Sequence, residues 1–92
     1  MIALAARPVL APKARLRRDP VTGGKLLVYP ERGLALNDTG AEILDLCDGE
    51  RCVREIIEVL AARHGASDAL AADVRGFLQE LADRNLLRGL EP

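Results

Sequence analysis

The sequence predicts an α+β domain of winged-helix-like type: a three-stranded antiparallel sheet followed by three helices, in the order βββααα. Three observations carry that prediction. Short apolar or alternating runs, separated by turn-forming residues, fill positions 14–36, which is the signature of strands. From Asn37 onward apolar residues recur at three- and four-residue spacing, the period of amphipathic helices. The whole chain is 92 residues, 49% of them hydrophobic, enough for one small core and no more.

Residues 1–13 carry Pro8 and Pro12 and show no clear period. They are read as an extended N-terminal arm, with residues 14–92 forming the single domain. A loosely packed terminus is the reading adopted for the arm, because chain ends are usually poorly ordered; a swapped or partner-binding arm is the alternative. Ala14-Arg15-Leu16-Arg17-Arg18 alternates apolar and charged residues, as a half-buried strand does. Asp19-Pro20-Val21-Thr22-Gly23-Gly24 is turn chemistry. A strand rather than a helix follows Gly23-Gly24, so this is no phosphate loop. Lys25–Tyr29 forms the second strand, with Leu26 and Val28 on one face and Leu27 and Tyr29 on the other. Both faces are apolar and both call for cover. Pro30-Glu31-Arg32-Gly33 turns the chain, and Gly33 to Leu36 is the third strand. A meander of this kind leaves its first and third strands as edges with unpaired backbone groups.

Asn37 is a suitable helix cap, while Thr39 with Glu42 spells an alternative capping box. The first helix then runs to about Cys47, with Gly40, Ile43, Leu44 and Cys47 on one stripe, and Asp48-Gly49 ends it. The second helix spans Val53 to His64. Cys52 stands at its cap, Glu55 three residues on, and Val53, Ile56, Ile57, Leu60 and Ala61 form its apolar stripe. Gly65 stops it. Ser67 caps the third helix, Asp68 suits its positive end, and Leu70, Val74, Phe77, Leu78 and Leu81 form the inner stripe. Asn85 ends it, and Leu86-Leu87 fold back onto the core.

Composition excludes several functions. With one Phe, one Tyr and no Trp, there is no stacking platform for single-stranded nucleic acid. Residues 1–36 hold seven Lys or Arg against two acids, and residues 37–92 hold six against twelve. The second helix sets Arg54 and Arg63 against Glu55 and Glu58, and the third Arg75 and Arg84 against Asp68, Asp73, Glu80 and Asp83; neither is basic, and a winged-helix DNA-binding regulator, one alternative reading, is disfavoured because a reading helix needs cations. The basic residues lie on the sheet and its turns. No apolar run approaches a membrane span. Met1–Ala6 lacks a basic n-region and stops at Arg7-Pro8, so it is not read as a signal peptide. The cytoplasm is the expected location.

Catalytic constellations are absent from the sequence, so the chain is not expected to be an enzyme. The three Ser and Thr residues, Thr22, Thr39 and Ser67, fall at turns or caps, where no base supports a nucleophile. His64, the single histidine, is read as a partial charge against the dipole of the second helix. Cys47 and Cys52 are too few for a disulfide framework or a structural zinc site. Cys47 lies on the apolar stripe and reads as core; Cys52, at a helix N-terminus, is the one thiol placed for reactivity. Asp45, Asp48 and Glu50 lack the ladder of oxygens a calcium loop needs and read as a solvated acidic corner. Neither a metal nor a cofactor is expected.

The stretch Leu26–Gly49 also carries a family resemblance. Tyr29-Pro30-Glu31, Leu36-Asn37, Ala41-Glu42-Ile43-Leu44 and Leu46-Cys47-Asp48-Gly49 resemble the PqqD family of pyrroloquinoline quinone (PQQ) biosynthesis. The likeness runs from about Leu10 to Leu87 and includes Arg15-Leu16, Val53-x-Glu55-Ile56 and Gln79-Glu80-Leu81. Three departures stand out: Arg17-Arg18 where an aromatic residue is frequent, Cys52 where Thr is usual, and Gly40 where Ala is common. The resemblance implies a non-catalytic peptide chaperone, a recognition element for ribosomally made, modified peptides (a RiPP recognition element). It would bind the precursor PqqA and present it to PqqE, a radical S-adenosylmethionine enzyme that crosslinks a Glu and a Tyr. The peptide would add as a strand along Gly33, Leu34, Ala35 and Leu36, with Val74, Phe77, Leu78 and Leu81 of the third helix lining the groove or supporting it from behind. A plain dimerisation module, built on Leu27 and Tyr29 or on the arm, is the remaining alternative. Monomer and homodimer are both compatible with the sequence.

Overall fold

The protein is seen in a computed structural model that describes residues 2–30 and 32–90. Its elements are β1 (Val9–Leu10), β2 (Arg15–Arg18), β3 (Lys25–Tyr29), β4 (Arg32–Leu36), α1 (Asp38–Asp45), α2 (Val53–His64), α3 (Asp68–Asp83) and β5 (Leu87–Arg88). The βββααα order is present as β2–β4 followed by α1–α3. Two further two-residue strands, β1 and β5, bracket it and were not expected from sequence. Glu31 of the β3–β4 turn lies outside the described residues.

β2, β3 and β4 form an antiparallel meander in that spatial order. Its register places Leu16, Leu27 and Leu34 in one row and Arg17, Leu26 and Ala35 in the next, so alternate rows face opposite sides. The row of Leu27, together with Tyr29, is the inner face: both residues are buried, and Leu16, Leu34 and Leu36 are half-buried beside them. The opposite face, bearing Leu26 and Val28, has less cover, and Val28 is exposed.

The helices follow their caps. The Asn37 side chain accepts from Gly40 N at 2.7 Å and starts α1; the Thr39–Glu42 alternative is not used. Ser67 Oγ accepts from Leu70 N at 3.0 Å and starts α3. α3 ends in a Schellman turn: Asn85, at φ 61°, sends its N–H to Ala82 O, and Leu86 N bonds Leu81 O, both at 2.9 Å. Leu81 and Leu86 are fully buried under that turn. It aims β5 at β1, with Leu10 opposite Leu87.

The N-terminal residues correct the expectation of a loosely packed terminus. Ile2, Ala6, Pro8 and Ala11 are buried. Val53 N donates to Ala6 O at 2.9 Å and Arg54 N to Leu4 O at 3.1 Å, so the arm's own carbonyls satisfy two of the orphan amides at the start of α2. The Glu55 carboxylate accepts from Cys52 N at 3.0 Å. On the other side Arg7 N bonds Gly89 O at 3.0 Å and Ala11 N bonds Leu86 O at 2.8 Å. Gly89, at φ 73°, could carry no side chain, because a Cβ there would overlap the Arg7 carbonyl.

His64 also differs from expectation. Its Nε2 lies 3.0 and 3.1 Å from the two oxygens of Glu42, and Arg63 reaches the same carboxylate at 3.2 Å. These two neighbours, His64 first, hold the Glu42 carboxyl below the usual range and tie α1 to the end of α2.

Candidate functional site

The sheet offers two edges, and β4 is the one with a helix beside it. Two contacts fix that geometry. At the end of β4 the Phe77 ring of α3 packs on Gly40, whose absent Cβ would stand 3.4 Å from Phe77 Cζ. At the start of β4, beside the turn, Arg84 Nη1 reaches the Tyr29 hydroxyl at 3.4 Å. α3 thus meets the start of α1 through Phe77 and the end of β3 through Arg84, the elements on either side of β4 in the chain. A hollow of about 200 Å³ opens between Asn37, Thr39 and Gly40 on one side and Asp73 and Phe77 on the other.

The register decides which backbone groups of β4 face outward. Tyr29 pairs with Arg32 across the turn, and a pairing that tight must be mutually hydrogen-bonded. Alternation then makes Leu27–Leu34 and Lys25–Leu36 mutually bonded as well. The N–H and C=O groups of Gly33 and Ala35 point away from β3. No strand pairs with β4 on that side among the described residues.

The sequence-predicted residues divide accordingly. Gly33, Leu34, Ala35 and Leu36 all lie on this edge, with Leu34 and Leu36 half-buried and turned inward. Phe77 is half-buried at the hollow. Val74, Leu78 and Leu81 are 0% exposed and back the helix from within the core. Sequence reading did not single out Asp73, Arg84, Tyr29 or Gly40 as neighbours of this edge. Asp73 and Arg84 are polar residues that look like ordinary surface, Gly40 reads only as part of the inner stripe of the first helix, and no spacing rule links Tyr29 to Arg84.

The electrostatics are those of a surface. Arg84 bonds Tyr29 and, at 3.1 Å, Glu80; the Tyr29 hydroxyl is the main reason its guanidinium holds its proton even more firmly than usual. Among the described residues no cluster of three or more His, Cys, Asp or Glu is placed to hold a metal. Asp48, in the acidic corner, accepts from the backbone of Glu50 and Arg51 and pairs with the Arg51 guanidinium at 2.6 Å. Cys47 donates to Ile43 O at 3.2 Å, and burial pushes its thiol up to about 12. A larger hollow, of about 490 Å³, lies on the opposite flank of α3, around Ala72, Gly76 and Asp83. Its described lining is all helix and offers no strand edge. No helix among the described residues is long and apolar enough to cross a membrane.

A family model described as Coenzyme PQQ synthesis protein D (PqqD) matches residues 24–87. The chain is 45% identical over 83 residues to a PqqA binding protein of Rhodopseudomonas palustris (strain HaA2), covering 89% of this chain and 81% of that one. It is 40% identical over 84 residues to a PqqA binding protein of Bradyrhizobium diazoefficiens, covering 90% and 82%. Among solved structures, it matches the PqqD truncation of Methylobacterium extorquens PqqCD with a TM-score of 0.79 and 31% identity, over 96% of this chain and 95% of that one. That truncation is described as a functional, stand-alone RiPP recognition element. TbiB1 in complex with the TbiA(beta) leader peptide matches with a TM-score of 0.74 over 91% and 99% of the two chains, at 20% identity, a likeness of fold.

Proposed function

The chain belongs to the PqqD family of coenzyme PQQ synthesis, and from that premise we propose that it is a non-catalytic recognition element that binds the precursor peptide PqqA and presents it to the radical S-adenosylmethionine enzyme PqqE. The observation that carries the proposal is the outer edge of β4, whose Gly33 and Ala35 backbone groups point away from β3 with no strand paired to them among the described residues. Two relatives with the same spread of sequence are PqqA binding proteins, which supports the same ligand here.

The binding mode is strand addition. An extended segment pairs with the N–H and C=O of Gly33 and Ala35, each bond contributing about 0.5–1.5 kcal/mol net. Alternate side chains of the segment turn inward, where Phe77, Leu34 and Leu36 present partly exposed apolar surface. One or two anchors covered there add about 1.5–3 kcal/mol each, and ordering the peptide takes back several kcal/mol. The balance corresponds to a micromolar or tighter complex, firm enough to hold a substrate and weak enough to release it.

Titration calorimetry with the PqqA precursor tests the proposal. Saturable one-to-one binding, with the amides of Gly33 and Ala35 shifted in NMR spectra, is the expected result. Heat no greater than that of dilution at tens of micromolar would overturn it.

A further inference from the structure

We propose, resting on the peptide-binding role above, that the hollow between α1 and α3 at the end of β4 is a pocket for one basic side chain of the bound peptide, with Asp73 as the residue that selects it. Gly40 opens the hollow. It is buried, and a Cβ there would stand 3.1 Å from Asn37 Oδ1 and 3.4 Å from Phe77 Cζ. Glycine thus leaves room that the ring and the cap do not fill. The room is about 200 Å³, and a cavity of about 150 Å³ already admits a benzene ring, so one long side chain fits.

The walls divide by chemistry. Gly40, Ile43 and Phe77 are buried or half-buried, while Asn37, Thr39 and Asp73 are exposed at the mouth. Asp73 carries the one charge in the described lining. The surrounding sequence leaves that charge free for a ligand. Asp73, Phe77, Glu80 and Arg84 recur at i, i+4, i+7 and i+11, one stripe of α3. Within the stripe Arg84 is engaged by Glu80 at 3.1 Å and by the Tyr29 hydroxyl at 3.4 Å. The positions three and four residues either side of Asp73 are Ala69, Leu70, Gly76 and Phe77, so α3 supplies no cation to reach it along the helix.

Such a hollow selects by the tip of the side chain as well as by its length. An apolar side chain ending there would cover the Asp73 carboxylate and take it out of water without a partner, and an acidic one would meet a like charge. A Lys or Arg lays its methylene stem on Ile43 and Phe77 and keeps its charged head at the mouth, where the Asp73 carboxylate accepts from it. Register brings such a residue within reach. An added strand continues the rows of the sheet, and the row of Lys25 and Leu36 lies on the same inner face as that of Leu27 and Leu34. The peptide residue that extends this row turns inward at the end of β4, next to Asn37, where the lining of the hollow begins.

The test is calorimetry with the full-length chain and PqqA peptide, using Asp73→Asn, Asp83→Asn as a matched change on the opposite flank of α3, and peptides in which each Lys or Arg is replaced by Met in turn. Asp73 is exposed on α3, so its amide variant should melt as wild type does. Asp73→Asn should bind PqqA about threefold to tenfold more weakly, with a flatter dependence on salt, while Asp83→Asn stays within about twofold of wild type. One peptide variant should lose the same factor against the wild-type chain and nothing further against Asp73→Asn, the non-additivity of a direct pair. Wild-type affinity in Asp73→Asn overturns the inference, as do losses that simply add in every combination of chain and peptide. Failure of the wild-type chain to bind PqqA sinks the peptide role and the pocket's occupant with it; intact binding that is blind to residue 73 sinks the pocket alone.

Discussion

Replacing Ala35 by proline is expected to remove most PqqA affinity while the domain stays folded. The Ala35 amide faces away from β3, because the β3 ladder runs through Leu34 and Leu36. A ring at 35 thus takes no bond from the sheet, and proline is tolerated in an edge strand on that side. The peptide, however, loses one backbone bond of about 0.5–1.5 kcal/mol and leaves a carbonyl facing the ring, at a further ~1–3 kcal/mol if water is excluded. Together these weaken binding roughly tenfold to about two-thousandfold. Leu34→Pro is the contrasting variant. Its amide is bonded to Leu27, so the ring breaks the centre of the β3–β4 hairpin and costs about 3 kcal/mol of stability. Calorimetry with PqqA, paired with thermal melts by circular dichroism, separates the two. A folded Ala35→Pro chain that binds PqqA as wild type does would show that the peptide lies elsewhere.

Three further outcomes rest on the same packing. Phe77→Ala should weaken PqqA binding about fivefold, since a half-buried ring gains roughly half its full burial when a peptide covers it; unchanged calorimetric affinity would remove Phe77 from the site. Deleting residues 1–8 uncaps Val53 and Arg54 and exposes the pocket of Ile2, a loss of about 3–6 kcal/mol. The melting temperature should then drop by at least about 10 °C, whereas a merely attached tail would leave it in place. Cys47 keeps its proton in the folded chain up to about 12 against an ordinary 9.0, so the contribution it makes is complete below pH 9 and is lost as pH rises above it, by up to ~1.4 kcal/mol per pH unit. Denaturant midpoints measured at pH 8 and pH 10 should therefore converge in Cys47→Ala relative to wild type, and an identical alkaline loss in both would contradict the assignment.

Much of this fold is written in local pattern. The bounds of α2 and the caps Asn37 and Ser67 follow from spacing and side-chain chemistry, and the β4 edge follows from two turns and a short apolar run. What was not legible uses groups that have no residue signature. The arm caps α2 with main-chain carbonyls, which any sequence possesses, and its prolines disguise the role. β1 and β5 are two residues each, too short to show a period, and their partners lie at opposite ends of the chain. At the site, the residues of the edge could be named, but the direction of each amide needs the register, and the register is fixed by the tight pairing of Tyr29 with Arg32. The exposed Val28 read as one more apolar strand position until the uncovered side of the sheet was seen.

The clasp between β1 and β5 gives the molecule a definite order of assembly. Pairings within β2–β4 join near neighbours in sequence, so the recognising hairpins can form early, whereas Val9 meets Arg88 only once a long loop has closed and its entropy has been overcome. A refolding chain would thus have its ligand-reading border formed while its seam is still open. Amide exchange in pulse-labelled refolding should report that sequence, with protection at Leu27 and Leu34 preceding protection at Leu10 and Leu87.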